Sequence, residues 1–302
     1  MKNYYDQGAK LFWLDVAEPE YSVYDFKNYR YQLGSVQEVG NIYPKYYLKA
    51  FYDGMTAEGD AMPISLIRSA WAGSAKYGAL VWSGDIVSSF ECFQRQVQAG
   101  LNMAIAGIPW WTTDIGGFHG ARTDDPDFHR LYIRWFEYGC FCPVMRLHGN
   151  RNPQEGYGAE QIGSGSDNEI WSFGDKAYEI SKKYIFLRER LRDYIRAQMK
   201  KAHEDGTPVM RPVFYDFPAD QESWNVEDAY LFGPDLYVAP VMEDHVTERE
   251  VYLPDGTAWF NAWTGEKYEG GQNVTVAAPL DTIPVFVKEG ADAEKLLNIF
   301  SE

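Results

Sequence analysis

Two aspartates in this 302-residue chain follow apolar runs where a carboxylate is costly unless it is paired or used. Asp15 comes directly after Phe12-Trp13-Leu14, and Asp85 follows Val81-Trp82 through a Ser-Gly pair. Gly84 lets the backbone turn sharply there, so that Asp85 can project from a strand end. Each has a plainer reading: Asp15 as the cap of the next turn, Asp85 as the start of a helix near Ser88. Two carboxylates on separate strand ends are also the minimum equipment for retaining glycoside hydrolysis. One attacks the anomeric carbon and the other protonates the leaving oxygen, with the carboxyl groups roughly 5–5.5 Å apart. The two must differ in proton affinity, and an arginine beside them, such as Arg68 on the intervening strand, would hold a carboxylate ionised.

The elements that must carry these groups are legible as a rhythm. Short, nearly unalternating apolar runs predict strands buried on both faces at Leu11–Val16, Ile64–Arg68, Ala79–Trp82, Met103–Ile108 and Pro143–Leu147. Helical spacing is expected between and after them, over Val36–Tyr52, Ser88–Leu101, Asp127–Phe141 and Asp175–Glu204. Alternation of this kind implies a parallel β/α architecture, whose chemistry sits at the carboxyl ends of the strands. Asp15, Arg68, Asp85, Asp114 and His148 all fall at such ends. Beyond Pro208 the pattern changes to short runs broken by Pro254-Asp255-Gly256, Thr264-Gly265 and Gly270-Gly271, as in an antiparallel β-domain with tight turns. The division is placed at 1–210 and 211–302.

Bulk properties narrow the class. A formal net charge of −16 repels polyanions, which argues against nucleic acid as a partner. No apolar run reaches the ~20 residues of a membrane span, and the opening MKNYYDQGAK does not read as a signal peptide; a cytoplasmic location is the expectation. Cys92, Cys140 and Cys142 lack metal or disulfide spacing and read as reduced thiols, and His119 and His129 show no metal-ligand spacing either. No metal or organic cofactor is expected. The aromatic content of 16% suits packing on sugar C–H faces, and equally an aromatic core.

Five segments in order, FWLDVAEPE, RSAWAG, VWSGD, WWTTDIGGF and RLHGN, together with the tail segments RPVFYDFPAD, YLFGPDLYVAPV, WTGEKYEGG and PLDTIPVFVKEGA, resemble glycoside hydrolase family 31, the family of α-glucosidases and α-xylosidases. The resemblance spans essentially the whole chain. It implies an α/β fold: strands 4–8 of a (β/α)8 TIM barrel followed by an antiparallel β-sandwich, with the earlier strands outside this chain. It implies Asp15 as nucleophile, Asp85 as acid/base, Arg68 as a substrate contact, His148 on sugar hydroxyls, Asp114 on the pocket floor, and Trp13, Trp82 and Trp110 as sugar-facing walls. Glu18 is expected to orient its neighbours. The implied partner is a carbohydrate, with terminal α-xylosyl favoured over α-glucosyl because Asp15-Val-Ala-Glu18 departs from the Met-Asn-Glu continuation more common in α-glucosidases. Bulk at Phe12, Trp13 and Trp110 would close the pocket around C5. Transglycosylation, or an inactive sugar-binding fragment, are the alternatives. The sequence allows a homo-oligomeric full-length form without requiring one.

Overall fold

The computed structural model describes residues 1–17, 22, 25–152 and 166–301. Four strands form a parallel sheet in the order β1 (Phe12–Leu14), β2 (Ser65–Ile67), β3 (Ala79–Trp82) and β4 (Trp111–Thr112). Helix α1 (Tyr43–Ala57) joins β1 to β2, α2 (Phe90–Ile105) joins β3 to β4, and α3 (Pro126–Cys140), α4 (Gly174–Arg190) and α5 (Arg192–Asp205) follow. Strands β2 and β3 are buried along their whole length, both faces being covered. Leu66, Leu80 and Trp82 gather on one face with Trp110 and Val144, whereas Ile67, Ala79 and Val81 join the core shared with the helices. This is part of a (β/α)8 barrel.

The helix starts follow local chemistry. Ser89 Oγ accepts from Cys92 N at 3.1 Å and caps α2, and Asp125 caps α3 by accepting from Asp127 N at 2.9 Å, with Pro126 as the first helical residue. Three expectations are corrected. Met103–Ile108 is not a strand: α2 runs to Ile105 and is closed by Ile108 N donating to Met103 O at 3.0 Å, and the strand is Trp111–Thr112. A short apolar run cannot by itself distinguish helix from strand, and here Leu101 and Ala104 continue the buried helical face. Pro143–Leu147 forms no regular strand, although Val144 N donates to Trp111 O at 3.2 Å and aligns the segment with β4. The helix expected over Asp175–Glu204 is two helices meeting at Leu191.

The second sheet has six strands, β5 (Met210–Arg211), β6 (Tyr230–Phe232), β7 (Leu236–Val238), β9 (Ala258–Asn261), β10 (Lys267–Glu269) and β12 (Val285–Lys288), in the order β10-β9-β12-β7-β6-β5. A separate antiparallel pair, β8 (Glu248–Leu253) with β11 (Gln272–Ala277), covers one face through Val251, Leu253 and Val276 against Leu231, Tyr237, Trp259 and Phe286. The other face, with Tyr230, Phe232, Leu236, Val238, Val285 and Val287, belongs to the same core as the barrel helices. The two parts are further joined by Arg134 of α3. It is ion-paired to Glu137 within the helix and donates to the carbonyls of Val246, Ala278, Pro279 and Thr282. Burial lifts the Glu137 carboxyl to about 8, against the pull of Arg134. A closing helix, α6 (Ala293–Ser301), buries Leu296 and Phe300 and has no counterpart in the sequence reading. Cys140 and Cys142 are buried free thiols pushed up to about 12 by that burial, which makes them inert. No helix among the described residues is long and apolar enough to cross a membrane.

Strand β1 pairs with β2 alone among the described residues, and Leu11, Trp13 and Val16 beside it are exposed. An open strand edge flanked by apolar side chains recruits another strand. The 302-residue chain by itself is therefore expected to self-associate at micromolar concentration in sedimentation or light-scattering measurements. A monomer with a single cooperative melt would contradict this.

Candidate active site

The strand ends converge as the alternation requires. Asp15 follows β1, Arg68 follows β2, Asp85 lies three residues past β3 and Asp114 two past β4, all on the carboxyl side of the sheet. Arg68 Nη1 stands 3.4 Å from Asp15 Oδ1 and 3.9 Å from Asp85 Oδ2. Two oxygens sharing one nitrogen can be no farther apart than those two distances laid end to end, which admits the roughly 5–5.5 Å of a retaining carboxylate pair. Both carboxylates are part-exposed, so a substrate can reach them. The backbone is bent to present them. Gly84 has φ +74°, as the turn after β3 requires, and Val16 has φ +52°, in the left-handed region where a β-branched residue is strained. Val16 N donates to Asp15 Oδ1 at 2.9 Å, which fixes the carboxylate's direction. Strain of this kind costs on the order of 1–3 kcal/mol and concentrates at functional sites.

Deeper in the site, Asp114 is fully buried and its Oδ1 accepts from Arg146 Nη1. Burial pushes the Asp114 carboxyl up to about 6; Arg146 and Arg151 oppose the shift, and the nearby charge of Asp85 adds to it. Its backbone is anchored by Asp114 N donating to Ser83 Oγ at 3.2 Å, and by Gly117 N donating to Asp114 O at 2.8 Å. The Gly-Gly that follows is dictated by space. Gly117 has φ +78°, and a Cβ there would lie 2.7 Å from Ser88 Cα. Arg151 holds the loop from beneath, donating to Gly117 O at 2.8 Å and Ile115 O at 3.2 Å. Burial lowers Arg151 to about 10, so it stays charged at neutral pH.

His148 stands between two aromatic rings, edge-on to Trp13 at 5.3 Å and stacked on Phe118 at 5.5 Å. Burial lowers its pKa, and Arg146 lowers it further. A neutral imidazole can both donate to and accept from hydroxyl groups. Trp13, half-exposed, meets the buried Trp82 edge-on at 5.9 Å.

Asp15, Arg68, Asp85, Asp114, His148, Trp13 and Trp82 are thus brought together. Trp110 is not a wall beside the carboxylates. It precedes β4 and packs with Leu66, Leu80 and Val144 in the apolar layer toward the amino ends of the strands, because the sequence places it four residues before Asp114 on the same face. Phe12 faces the opposite way from Trp13, packing on Phe51 of α1 at 5.4 Å. Trp111 is core, close against Gly100 of α2. Glu18 lies outside the described residues. Sequence reading missed Phe118 and Arg146. Arg146 carried a signal, since it lies two residues before His148 and therefore shares its face in any extended backbone.

Comparison with known proteins gives matches to two family models, one described as the glycosyl hydrolases family 31 TIM-barrel domain over residues 1–198 and the other as the glycosyl hydrolase family 31 C-terminal domain over residues 206–291. An α-xylosidase of Saccharolobus solfataricus is 36% identical over 296 residues, covering 96% of this chain and 39% of that protein. A crystal structure of a family 31 α-xylosidase from a soil metagenome, complexed with xylose, superposes with a TM-score of 0.92 at 56% identity, covering 98% of this chain and 45% of that one. A xylosidase structure from Aspergillus niger matches at 34% identity and a TM-score of 0.86, covering 100% and 47%. The chain therefore spans less than half the length of these relatives.

Proposed function

The chain belongs to glycosyl hydrolase family 31, and we propose that it carries the catalytic carboxylates of a retaining α-glycosidase acting on terminal α-xylosyl groups. The observation that carries this reading is the single guanidinium of Arg68 within ion-pair reach of both Asp15 and Asp85, which stand on different strands. Asp15 Oδ attacks the anomeric carbon as the glycosidic C–O bond breaks, forming a glycosyl ester. Asp85 gives its proton to the departing oxygen. Asp85 then takes a proton from water as that water attacks the same carbon, and the ester bond breaks to return Asp15 as a carboxylate. Both displacements invert, so the product keeps the α configuration. Arg68 holds negative charge at the reacting centre, His148 exchanges hydrogen bonds with sugar hydroxyls, and Trp13 offers a flat apolar face.

The xylosyl preference is supported by the names of the relatives, two of them α-xylosidases and one solved with xylose bound. An α-glucosidase of Bacillus thermoamyloliquefaciens at 33% identity and an isomaltosyltransferase of Sporosarcina globispora at 34% mark the competing readings. The test is hydrolysis of aryl α-xyloside and aryl α-glucoside by this chain and by a version extended at its amino terminus. The expected kcat/KM ratio favours the xyloside by at least about tenfold, since one added hydroxymethyl group against a closed wall is worth a few kcal/mol. A ratio below one rejects the xylosyl assignment. No hydrolysis of either by the extended enzyme rejects the function, and a transfer product in place of free sugar selects the transferase reading.

A further inference from the structure

Arg146 touches the site in three directions at once. Its Nη1 donates to Asp114 Oδ1, and its guanidinium carbon lies 5.9 Å from the Trp13 ring centre and 5.8 Å from that of Trp82. Asp114 is completely buried, and its Oδ2 has no hydrogen-bond partner among the described residues, so Arg146 is its close counter-charge. Trp13 is 52% exposed and is braced by Trp82, His148 and Arg146. Stripping the guanidinium away would therefore do two things together. It would leave a buried carboxylate unpaired, which drives that group to take up a proton. It would also remove a flat cationic face from two indoles, an attraction that strengthens where water is excluded.

We propose that Arg146 is a positioning residue of the sugar pocket, which keeps the floor carboxylate Asp114 ionised and holds the Trp13 wall in place against it. The inference rests on the reading of this site as a glycosidase pocket. Arg146 acts through Asp114, Trp13 and Trp82, and needs no contact with the sugar. A lysine in its place would preserve a positive charge for Asp114 but not the planar fork that lies against both rings. The two parts of the role are thereby separable.

In the amino-terminally extended enzyme, Arg146→Ala is expected to raise KM for aryl α-xyloside by tenfold or more. With a dinitrophenyl leaving group kcat should fall by less than about threefold. Guanidinium ion at millimolar concentration should restore a large part of the lost affinity, since it can reoccupy the space between Asp114 and the indoles. Arg146→Lys should fall between the two, with KM raised severalfold. A lower melting temperature with KM unmoved, or a KM change that guanidinium leaves unaltered while lysine restores nothing, would overturn the proposal. If Arg146→Ala does not fold, Arg146→Lys decides alone: an unchanged KM refutes the bracing of Trp13. An inactive wild-type enzyme would instead refute the glycosidase reading. An active wild type with indifferent Arg146 variants refutes only the present inference.

Discussion

Asp15→Ala, in the extended enzyme, is expected to lower turnover of aryl α-xyloside by on the order of 10⁴-fold or more, because a covalent nucleophile has no substitute in the double displacement. The loss should hold for activated and natural substrates alike, since both pass through the same glycosyl ester. Azide should recover activity with the activated substrate. Removing the side chain opens the side of the sugar from which Asp15 attacks, and a small anion can enter there with Arg68 at hand to attract it. The product would be the β-glycosyl azide, opposite in configuration to the substrate, because only one displacement occurs. A variant keeping more than about a tenth of the wild-type rate would remove Asp15 from the role.

Asp85→Asn should separate substrates by leaving group. Dinitrophenolate departs without a proton, so formation of the glycosyl ester from that substrate should barely slow. Alkyl and oligosaccharide leaving groups need the proton, and their rates should fall by about 10²–10⁴-fold, the usual worth of general acid help. The second step loses its general base whatever the substrate, so a burst of released dinitrophenolate followed by slow turnover is expected in stopped-flow measurements. Equal losses across all leaving groups would move the acid to another residue.

The order of the parts, the chemistry-bearing strand ends and the change to an antiparallel domain are already visible in the residue string. Each rests on local rules. An apolar run ending in Asp15, Arg68 or Asp85 is a buried strand with an ionisable tip, and Gly84 announces a turn that few other residues could make. Family membership was equally legible, because five motifs recur in a fixed order. Other features were settled only by packing. Met103–Ile108 and Trp111–Thr112 are both short and apolar, but the first continues the buried helical face of Leu101 and Ala104 whereas the second pairs with Val81 and Trp82 of β3. Trp13 and Phe12 are neighbours in the chain but face opposite sides of β1, one toward His148 and the other toward Phe51 of α1. Trp110 shares a face with Asp114 yet lies in a deeper layer of the barrel, so shared residue type and shared face do not make a shared pocket. Arg146 stands where it does because Asp114, more than thirty residues earlier, is buried and takes its ion pair from Arg146, and two tryptophans from separate strands meet over it. Spacing along the chain constrains which atoms can do chemistry. Which of them share a charge or a wall depends on register between strands, and that is decided when the strands pair and water is expelled from between them and the helices.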